Sequence, residues 1–417
     1  TVAGMCAHHA VTVIDENVEE IDWESLRNFD IVGVTGMNVQ KVRIREILLR
    51  LGEMDIFRAV GGPYVSVEES FFEGLCEVMF IGEAETTWPV FLDDFSHGRP
   101  TQARYEQTDR TDMTKAPRPR FDLLKVNRYA SGALQYSRGC PFQCEFCDII
   151  VIYGRKPRVK QPEQLVAELD DMRLAGFHSA FIVDDNFIGD MKKAKALLEK
   201  IIPWMEEHNY PLRLTTEASI NLADQPELLD LMYRANFRSV FIGIESPNEA
   251  SLRETKKFQN VRPHGTLVER VRRVQDAGLE VWCGMIVGFD NDDTTVFEAQ
   301  RKFLHEARIV IRLDRPIRSR RHGWFLFRAG SPPAAHLLQE HRATNGFRAV
   351  VVTSGCQTAL AVGRHRVGRE RHDRALVSGR AQSPRRFVAV EPRHLHVHEH
   401  GIERAAVRVS GEREVHS

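Results

Sequence analysis

Apolar residues recur along this chain in two rhythms. Short β-branched runs lie at 10–14, 31–35, 59–61 and 78–81, and a helical spacing of apolar positions covers 42–52, with a shorter helical stretch near 23–28. Strands and helices in alternation predict a parallel, doubly wound sheet. Residues 101–128 are polar, include Pro117 and Pro119, and hold no period, so they read as a linker. The alternation then resumes, with strands at 134–137, 179–183, 212–217, 239–244 and 280–287 and helices at 162–175, 191–207, 225–235, 267–278 and 293–307. Five βα units in series predict an incomplete parallel barrel with its active site at the C-terminal ends of the strands. The fold class is α/β: a Rossmann-like domain over 1–100, a linker over 101–128, a barrel over 129–310, and a remainder over 311–417.

Composition and charge narrow this picture. With 417 residues, 42% of them hydrophobic, the chain can build two or three buried cores. Its formal net charge of −1 offers no basic footprint for nucleic acid or an anionic membrane. No apolar run reaches the roughly 18 residues of a spanning helix, and Thr1 opens no export signal, so a cytoplasmic location is expected. The strand at 10–14 has no partner before it, which predicts a missing N-terminal piece. The first 302 residues hold 12 Lys and 24 Arg, whereas the last 115 hold 21 Arg, no Lys and 11 of the 17 His. Pro, Arg and His also interrupt the place of a sixth barrel strand. A change of reading frame or a fusion would produce such a shift, so residues from about 311 read as an atypical Arg/His-rich tail, frame-shifted or disordered. In it His394, His396, His398 and His400 alternate, either as metal ligands on one strand face or by accident of composition.

The candidate chemistry begins at Arg138-Gly139-Cys140-Pro141-Phe142-Gln143-Cys144-Glu145-Phe146-Cys147, a C-x3-C-x2-C spacing on a loop directly after a strand. Three thiolates on one loop can hold three irons of a [4Fe–4S] cubane and leave the fourth open. The competing reading, a zinc site, needs a fourth ligand, and no His or Cys follows within 25 residues. Cys6, Cys76, Cys283 and Cys356 are scattered and read as packing. The later strands end in polar groups: Asp184-Asp185-Asn186, Thr216-Glu217-Ala218-Ser219, Glu245-Ser246 and Gly284-Met285-Ile286-Val287-Gly288. Adjacent buried carboxylates require a cationic partner, although Asn186 or Asp190 also suits a helix N-cap. In the first domain, Thr35-Gly36, Gly61-Gly62 and Gly82-Glu83 end strands where doubly wound sheets hold ligands, or simply turn the chain. The stretch 153–158 either covers the cysteine loop or is a solvated charge run.

The cysteine spacing, with Phe146 before the last Cys, resembles the radical S-adenosylmethionine (SAM) superfamily. The resemblance implies that Cys140, Cys144 and Cys147 hold a [4Fe–4S] cluster and that SAM chelates its open iron and is cleaved to a 5′-deoxyadenosyl radical. It further implies that Asp184, Asp185 and Asn186 lie at the methionyl amino group. Glu217, Ser219, Glu245 and Ser246 would lie at the ribose and carboxylate, and Gly284, Ile286 and Gly288 at the adenine. Asn291 departs from the glutamate often found there. A Rossmann-like domain before a partial (β/α)6 barrel resembles the cobalamin-binding-domain radical SAM family. The strings Asp15-Glu16-Asn17-Val18-Glu19, Gly33-Val34-Thr35-Gly36-Met37, Gly61-Gly62-Pro63, Ile81-Gly82-Glu83-Ala84-Glu85, Cys147-Asp148-Ile149-Ile150 and Gly243-Ile244-Glu245-Ser246-Pro247-Asn248 resemble its hopanoid C-2 methylase branch.

That branch implies cobalamin, held about Thr35, Gly36, Gly61, Gly62 and Glu83, and methylation of an unactivated carbon of a polycyclic lipid. It also implies a low-potential electron donor such as flavodoxin or ferredoxin and a peripheral membrane contact for the lipid. No D-x-H-x-x-G string supplies a histidine for cobalt. Two other readings stand beside this one: a radical SAM enzyme of another outcome, namely cyclisation, rearrangement or methylthiolation, and a cluster- and cobalamin-binding chain without turnover.

Overall fold

The computed structural model describes residues 1–6, 8–261 and 265–309 and, beyond them, the strands Arg312–Pro316, Arg318–Ser319, Gly323–Trp324 and Arg386–Glu391. Cys356 and the histidines 394, 396, 398 and 400 lie outside the described residues. The first sheet contains β1 (Ala10–Asp15), β2 (Ile31–Thr35), β3 (Arg58–Gly61), β4 (Val78–Gly82) and β5 (Arg104–Gln107), with α1 (Lys41–Glu53), α2 (Pro63–Val67) and α3 (Thr87–Ser96) between them. All its pairings are parallel. Ile44, Ile47, Leu48 and Leu51 repeat at helical spacing and bury one face of α1 against Val32, Val34 and Val60. Trp88, Phe91 and Leu92 of α3 cover the opposite face over Ile31, Ala59, Val78 and Phe80. A sheet covered on both sides needs apolar residues at successive positions, and this is why its strands read as continuous runs.

Two features depart from the sequence reading. The linker contains β5, an edge strand whose Tyr105 and Gln107 are buried while Arg104 and Glu106 face water. Four residues, half of them charged, carry too little apolar pattern to read as a strand. The strand Arg386–Glu391, from the atypical tail, runs parallel between β1 and β2, with Ala10 opposite Arg386 and Val32 opposite Val388.

The second sheet is assembled from β6 (Gly132–Leu134), β9 (Ser179–Ile182), β10 (Arg213–Ala218), β11 (Phe237–Glu245), β12 (Glu280–Val287) and β13 (Arg312–Pro316), in the order β13-β12-β11-β10-β9-β6. Every pairing is parallel. A sixth strand therefore follows the helix where Pro and Arg interrupt the apolar pattern. Two short strands, β7 (Ser137–Arg138) and β8 (Arg158–Val159), form a separate antiparallel ribbon that closes the base of the cysteine loop. The helices are α4 (Ile149–Ile152), α5 (Pro162–Ala175), α6 (Met191–Glu207), α7 (Pro226–Arg234), α8 (Glu249–Glu254), α9 (Phe258–Val261), α10 (Leu267–Asp276) and α11 (Val296–Glu306). Leu214, Val240, Ile242, Ile244, Val281, Cys283 and Met285 alternate along the strands and pack beneath these helices in one core with Leu165, Leu198, Met232 and Val271. By the same alternation the intervening residues, polar Thr215 and Glu217 and apolar Phe241, Trp282 and Ile286, belong to the sheet's second face. Among the described residues, no helix is long and apolar enough to cross a membrane.

The two sheets are bolted together by buried charge. Arg138 of β7 bonds Glu83 at 2.8 Å and Glu85 at 2.7 Å, both just past β4, and Arg158 of β8 bonds Glu83 at 2.6 Å. Tyr129 donates to Asp15 at 2.7 Å near the other end of the contact.

Candidate active site

The predicted strand at 134–137 is broken, and the break builds the site. Asp184, two residues past β9, is fully buried, and its carboxylate accepts from the N–H groups of Tyr136 (2.7 Å) and Ser137 (2.9 Å) and from the Ser137 hydroxyl (2.7 Å). Those N–H groups are thereby withdrawn from a sheet ladder, and the chain swings out of β6 into the β7–β8 ribbon. Asp185 accepts from Gly139 N–H at 2.6 Å. Gly139 has φ of +95°, and a Cβ there would lie 2.8 Å from the Gly154 carbonyl, so only glycine fits. Cys140 N–H bonds the Gly154 carbonyl and Cys147 N–H the Cys144 carbonyl, which fixes the loop that carries the three thiols.

Cys144 is buried, and Cys140 and Cys147 are half-buried. Burial raises the Cys140 thiol and pushes Cys147 up to about 12, with the neighbouring cysteines adding to the rise at Cys147. Opposing this, N–H donors face each sulfur. Cys140 has the Phe142 N–H and the Asn186 carboxamide (3.9 Å), Cys144 has the Gln259 carboxamide (3.5 Å), and Cys147 has the Ile149 N–H. Thiolates held by such donors are what a cluster or metal site requires. Among the described residues, no three His, Cys, Asp or Glu side chains converge on one single-ion position. A cubane spreads its thiolates over three irons and does not ask for that convergence.

Beside the loop lie the predicted acids. Burial, opposed by the Ser137 and Tyr136 donors, sets Asp184 up at about 6. Burial raises Asp185 to about 7 against the Gly139 hydrogen bond, with Asp184 adding to the rise. Glu217, at the end of β10, reaches about 8 through burial and then the charges of Asp185, Asp184 and Glu245. Asp184 thus raises Asp185, and both raise Glu217, so negative charge accumulates along these strand ends. Asp184 accepts three bonds from protein donors and buttresses the loop, whereas Asp185 accepts from Gly139 N–H with Arg138 and Arg158 near enough to lower it, and Glu217 stands at the end of β10. Asn186 does not cap α6. Asp190 does, accepting from Lys193 N–H at 3.2 Å, while Asn186 donates to Ser219 at 3.1 Å and to Cys140.

At the end of β11 the register against β12 slips between Gly243 and Glu245, and Glu245 adopts φ of +65°. A non-glycine residue in that conformation is strained by roughly 1–3 kcal/mol. The turn is held by the buried pair of Glu245 with Lys257 at 2.9 Å, and a Cβ on Gly243 would fall 2.2 Å from the Glu245 carboxylate. Ser246 is fully buried and accepts from Asn248 N–H. Gly284 leaves room for the Phe241 ring, Ile286 is buried, and Gly288 has φ of +104°. Asn291 bonds Glu254, while Asp292 takes the N–H groups of Gly288 and Phe289 at 3.0 Å each.

In the first domain the Thr35-Gly36 and Gly61-Gly62 turns touch: Gly62 has φ of +115°, and a Cβ there would meet Thr35 Oγ1 at 2.7 Å. Backbone conformation and close packing account for Gly62. Glu83 is spent on Arg138, Arg158 and the Thr111 N–H. In the stretch 153–158, Arg158 is half-buried against Glu83, and Arg155 reaches the Pro141 carbonyl at 3.3 Å. Cys6 accepts from the Trp88 indole in one core, Cys283 is buried in another, and Cys76 packs at the edge of a third.

The residues that pattern reading missed are Arg138, Lys257, Gln259 and Asp292. Arg138 stood beside the motif, whereas the segment 255–260 is a polar stretch between two readable elements and shows nothing of what it folds against.

Residues 134–299 match the radical SAM superfamily. The chain is 42% identical over 295 residues to an uncharacterized methyltransferase of Synechocystis sp., covering 70% of this chain and 54% of that protein. It is 36% identical over 306 residues to the hopanoid C-2 methylase of Rhodopseudomonas palustris, covering 72% and 58%. The chain thus spans somewhat over half the length of these relatives. The radical SAM methyltransferase TsrM of Kitasatospora setae, solved with cobalamin and a [4Fe–4S] cluster, superposes with a TM-score of 0.60 at 16% identity, over 74% of this chain and 72% of that one. At that identity the likeness speaks for the fold. Together with the cysteine loop, these matches identify residues 134–299 as a radical SAM superfamily domain, in a chain that resembles the hopanoid C-2 methylases.

Proposed function

We propose that this chain is the core of a cobalamin-dependent radical SAM C-methyltransferase acting on a hydrophobic, hopanoid-like lipid. The observation that carries the proposal is the cysteine loop at the C-terminal rim of the second sheet, each sulfur faced by N–H donors, with the raised acids Asp185 and Glu217 at the neighbouring strand ends. The donor set fits a [4Fe–4S] cluster on Cys140, Cys144 and Cys147. The Lys257 ammonium lies over the Phe146 ring, 5.6 Å from its centroid.

When bound, the cluster and SAM supply a 5′-deoxyadenosyl radical, and cobalamin a transferable methyl group. The protein's part is positioning. Asp185 and Glu217 would receive the cationic amino and sulfonium end of SAM, whose charge would draw both acids back into their ionised forms. Ser219, held by Asn186, and Glu245, held by Lys257, would orient the ribose and carboxylate, and Ser246, Gly284, Ile286 and Gly288 would support the adenine. The strand ends at Thr35-Gly36 and Gly61-Gly62 would hold cobalamin. Glu83, which ties the β4 end of the first domain to Arg138, would set its distance from the cluster loop. Similarity to the Rhodopseudomonas protein supports a polycyclic lipid as substrate, and the superfamily's chemistry calls for a low-potential donor such as flavodoxin or ferredoxin.

The test is anaerobic reconstitution with iron and sulfide, followed by SAM and a low-potential reductant, with 5′-deoxyadenosine quantified for wild type and Cys144→Ala. Production that needs Cys144 supports the radical core. An intact cluster with no deoxyadenosine in the wild type overturns it.

A further inference from the structure

The segment Thr255–Asn260, between α8 and the end of α9, is a second wall of the cysteine loop. The Thr255 carbonyl accepts from Glu145 N–H at 3.0 Å, Lys256 pairs with Glu145 at 2.8 Å, Lys257 lies 5.6 Å from the Phe146 ring, and Gln259 donates to Cys144 at 3.5 Å. Lys256 is exposed, whereas Lys257 is 8% and Gln259 2% exposed, so their contacts are made out of water. Both buried residues are held from behind. Asn260 donates to the carbonyls of Gly243 and Ile244 at 3.0 and 2.9 Å, pinning the segment to the end of β11. The fully buried Arg270 bonds the Gln259 carbonyl at 2.9 Å and is itself paired with Asp224 at 2.8 Å. Lys257 is held by Glu245. An arrangement so anchored aims one carboxamide N–H at one sulfur. The side-chain oxygen of Gln259 has no partner and is buried, so the amide's placement is explained by its contact with sulfur.

We infer that Gln259 and Lys257 are positioning residues that set the reduction potential of the cluster, Gln259 by its N–H···S bond to Cys144 and Lys257 by its buried charge. The inference rests on the cluster reading above. One-electron reduction adds negative charge to the cluster, spread over its sulfurs. A hydrogen-bond donor or a cation at a sulfur stabilises the reduced form more than the oxidised one, and raises the potential. A hydrogen bond to a charged group in such a setting is worth enough to change the reduced-to-oxidised ratio roughly tenfold, which for one electron is about 59 mV.

The experiment is a potentiometric titration of the reconstituted full chain, following the reduced cluster by electron paramagnetic resonance and the iron content by chelation. Gln259→Leu and Lys257→Met should retain wild-type iron and lower the reduced fraction at a fixed potential by roughly tenfold each, with the midpoint moving to more negative values. Gln259→Glu preserves the side chain's volume and places an acceptor against sulfur, so it should move the midpoint in the same direction even if Gln259→Leu fails to assemble. The exposed Lys256→Ala should leave the midpoint in place. Unchanged midpoints in the Gln259 and Lys257 variants overturn the inference, as does an equal shift in Lys256→Ala. A wild-type chain that assembles no cluster overturns the cluster reading instead.

Discussion

Replacing Arg138 by methionine removes three bonds at once: to Gln135 at 2.7 Å, to Glu83 at 2.8 Å and to Glu85 at 2.7 Å. Glu83 would keep Arg158, but Glu85 would keep no cation, only the Thr111 hydroxyl at 3.0 Å and its own backbone N–H. The side chains of Glu83 and Glu85 are 3% and 11% exposed, so an almost buried carboxylate loses its counter-charge. Removing one member of a buried pair costs about 3–5 kcal/mol, and here that cost falls on the contact between the two sheets. The pH dependence follows from linkage. In the wild type, burial opposes the charged form of Glu85, and the charge and hydrogen bond of Arg138 outweigh it, holding the group below its ordinary 4.5. A depressed carboxyl contributes stability above its unfolded value, and that contribution fades as pH falls through the folded one. In Arg138→Met the same carboxyl is raised, so the variant loses stability as pH rises. The gap between the two proteins should therefore be widest near neutrality and close under acid.

Urea unfolding at pH 4 and pH 7 measures this, with Trp23 and Trp88 reporting the first domain and Trp204 and Trp282 the second. Single-tryptophan variants should show the two transitions coincide in the wild type and separate in Arg138→Met. The double variant Arg138→Met/Glu85→Gln should recover much of the loss. A gap below about 1 kcal/mol at pH 7, the worth of a surface pair, or one that is the same at both pH values, would refute the reasoning.

Lys160 and Glu168 form a second buried pair, 4% and 0% exposed and 2.7 Å apart, so Lys160→Met should destabilise by about 3–5 kcal/mol in thermal or denaturant unfolding, and Lys160→Met/Glu168→Met should restore much of it. Glu217→Gln removes an acid raised to about 8. Wild-type stability attributable to this group falls as pH rises from the ordinary carboxylate range through 8, so the variant should be the more stable protein at pH 8.5 in the absence of ligand and no more stable at pH 4. The same variant should bind SAM at least tenfold more weakly by calorimetry, the worth of one charge-assisted contact. Gly62→Ala places a Cβ 2.7 Å from Thr35 Oγ1 at φ of +115°, and should cost about 1–3 kcal/mol, seen as a lowered unfolding midpoint.

What the sequence by itself determined is whatever repeats or clusters along the chain. The apolar periods at α1, α6, β11 and β12 follow from burial on one or two faces, and a period survives projection onto a line. The loop of Cys140, Cys144 and Cys147 stands out because its cysteines lie close in sequence, and Asp185, Glu217 and Glu245 stand out because polar residues at the ends of apolar strands break the pattern. Tertiary structure decided the rest. It separated Asp184, spent on the backbone of Tyr136 and Ser137, from the adjacent Asp185, a distinction between neighbours that no spacing encodes. It turned Glu83 into the partner of Arg138 and Arg158 across 55 and 75 positions of chain, and it brought Gln259 to Cys144 across 115. Hydrogen bonds and ion pairs of that kind depend on a few tenths of an ångström in three dimensions, and the residues that make them look, in one dimension, like any other polar loop.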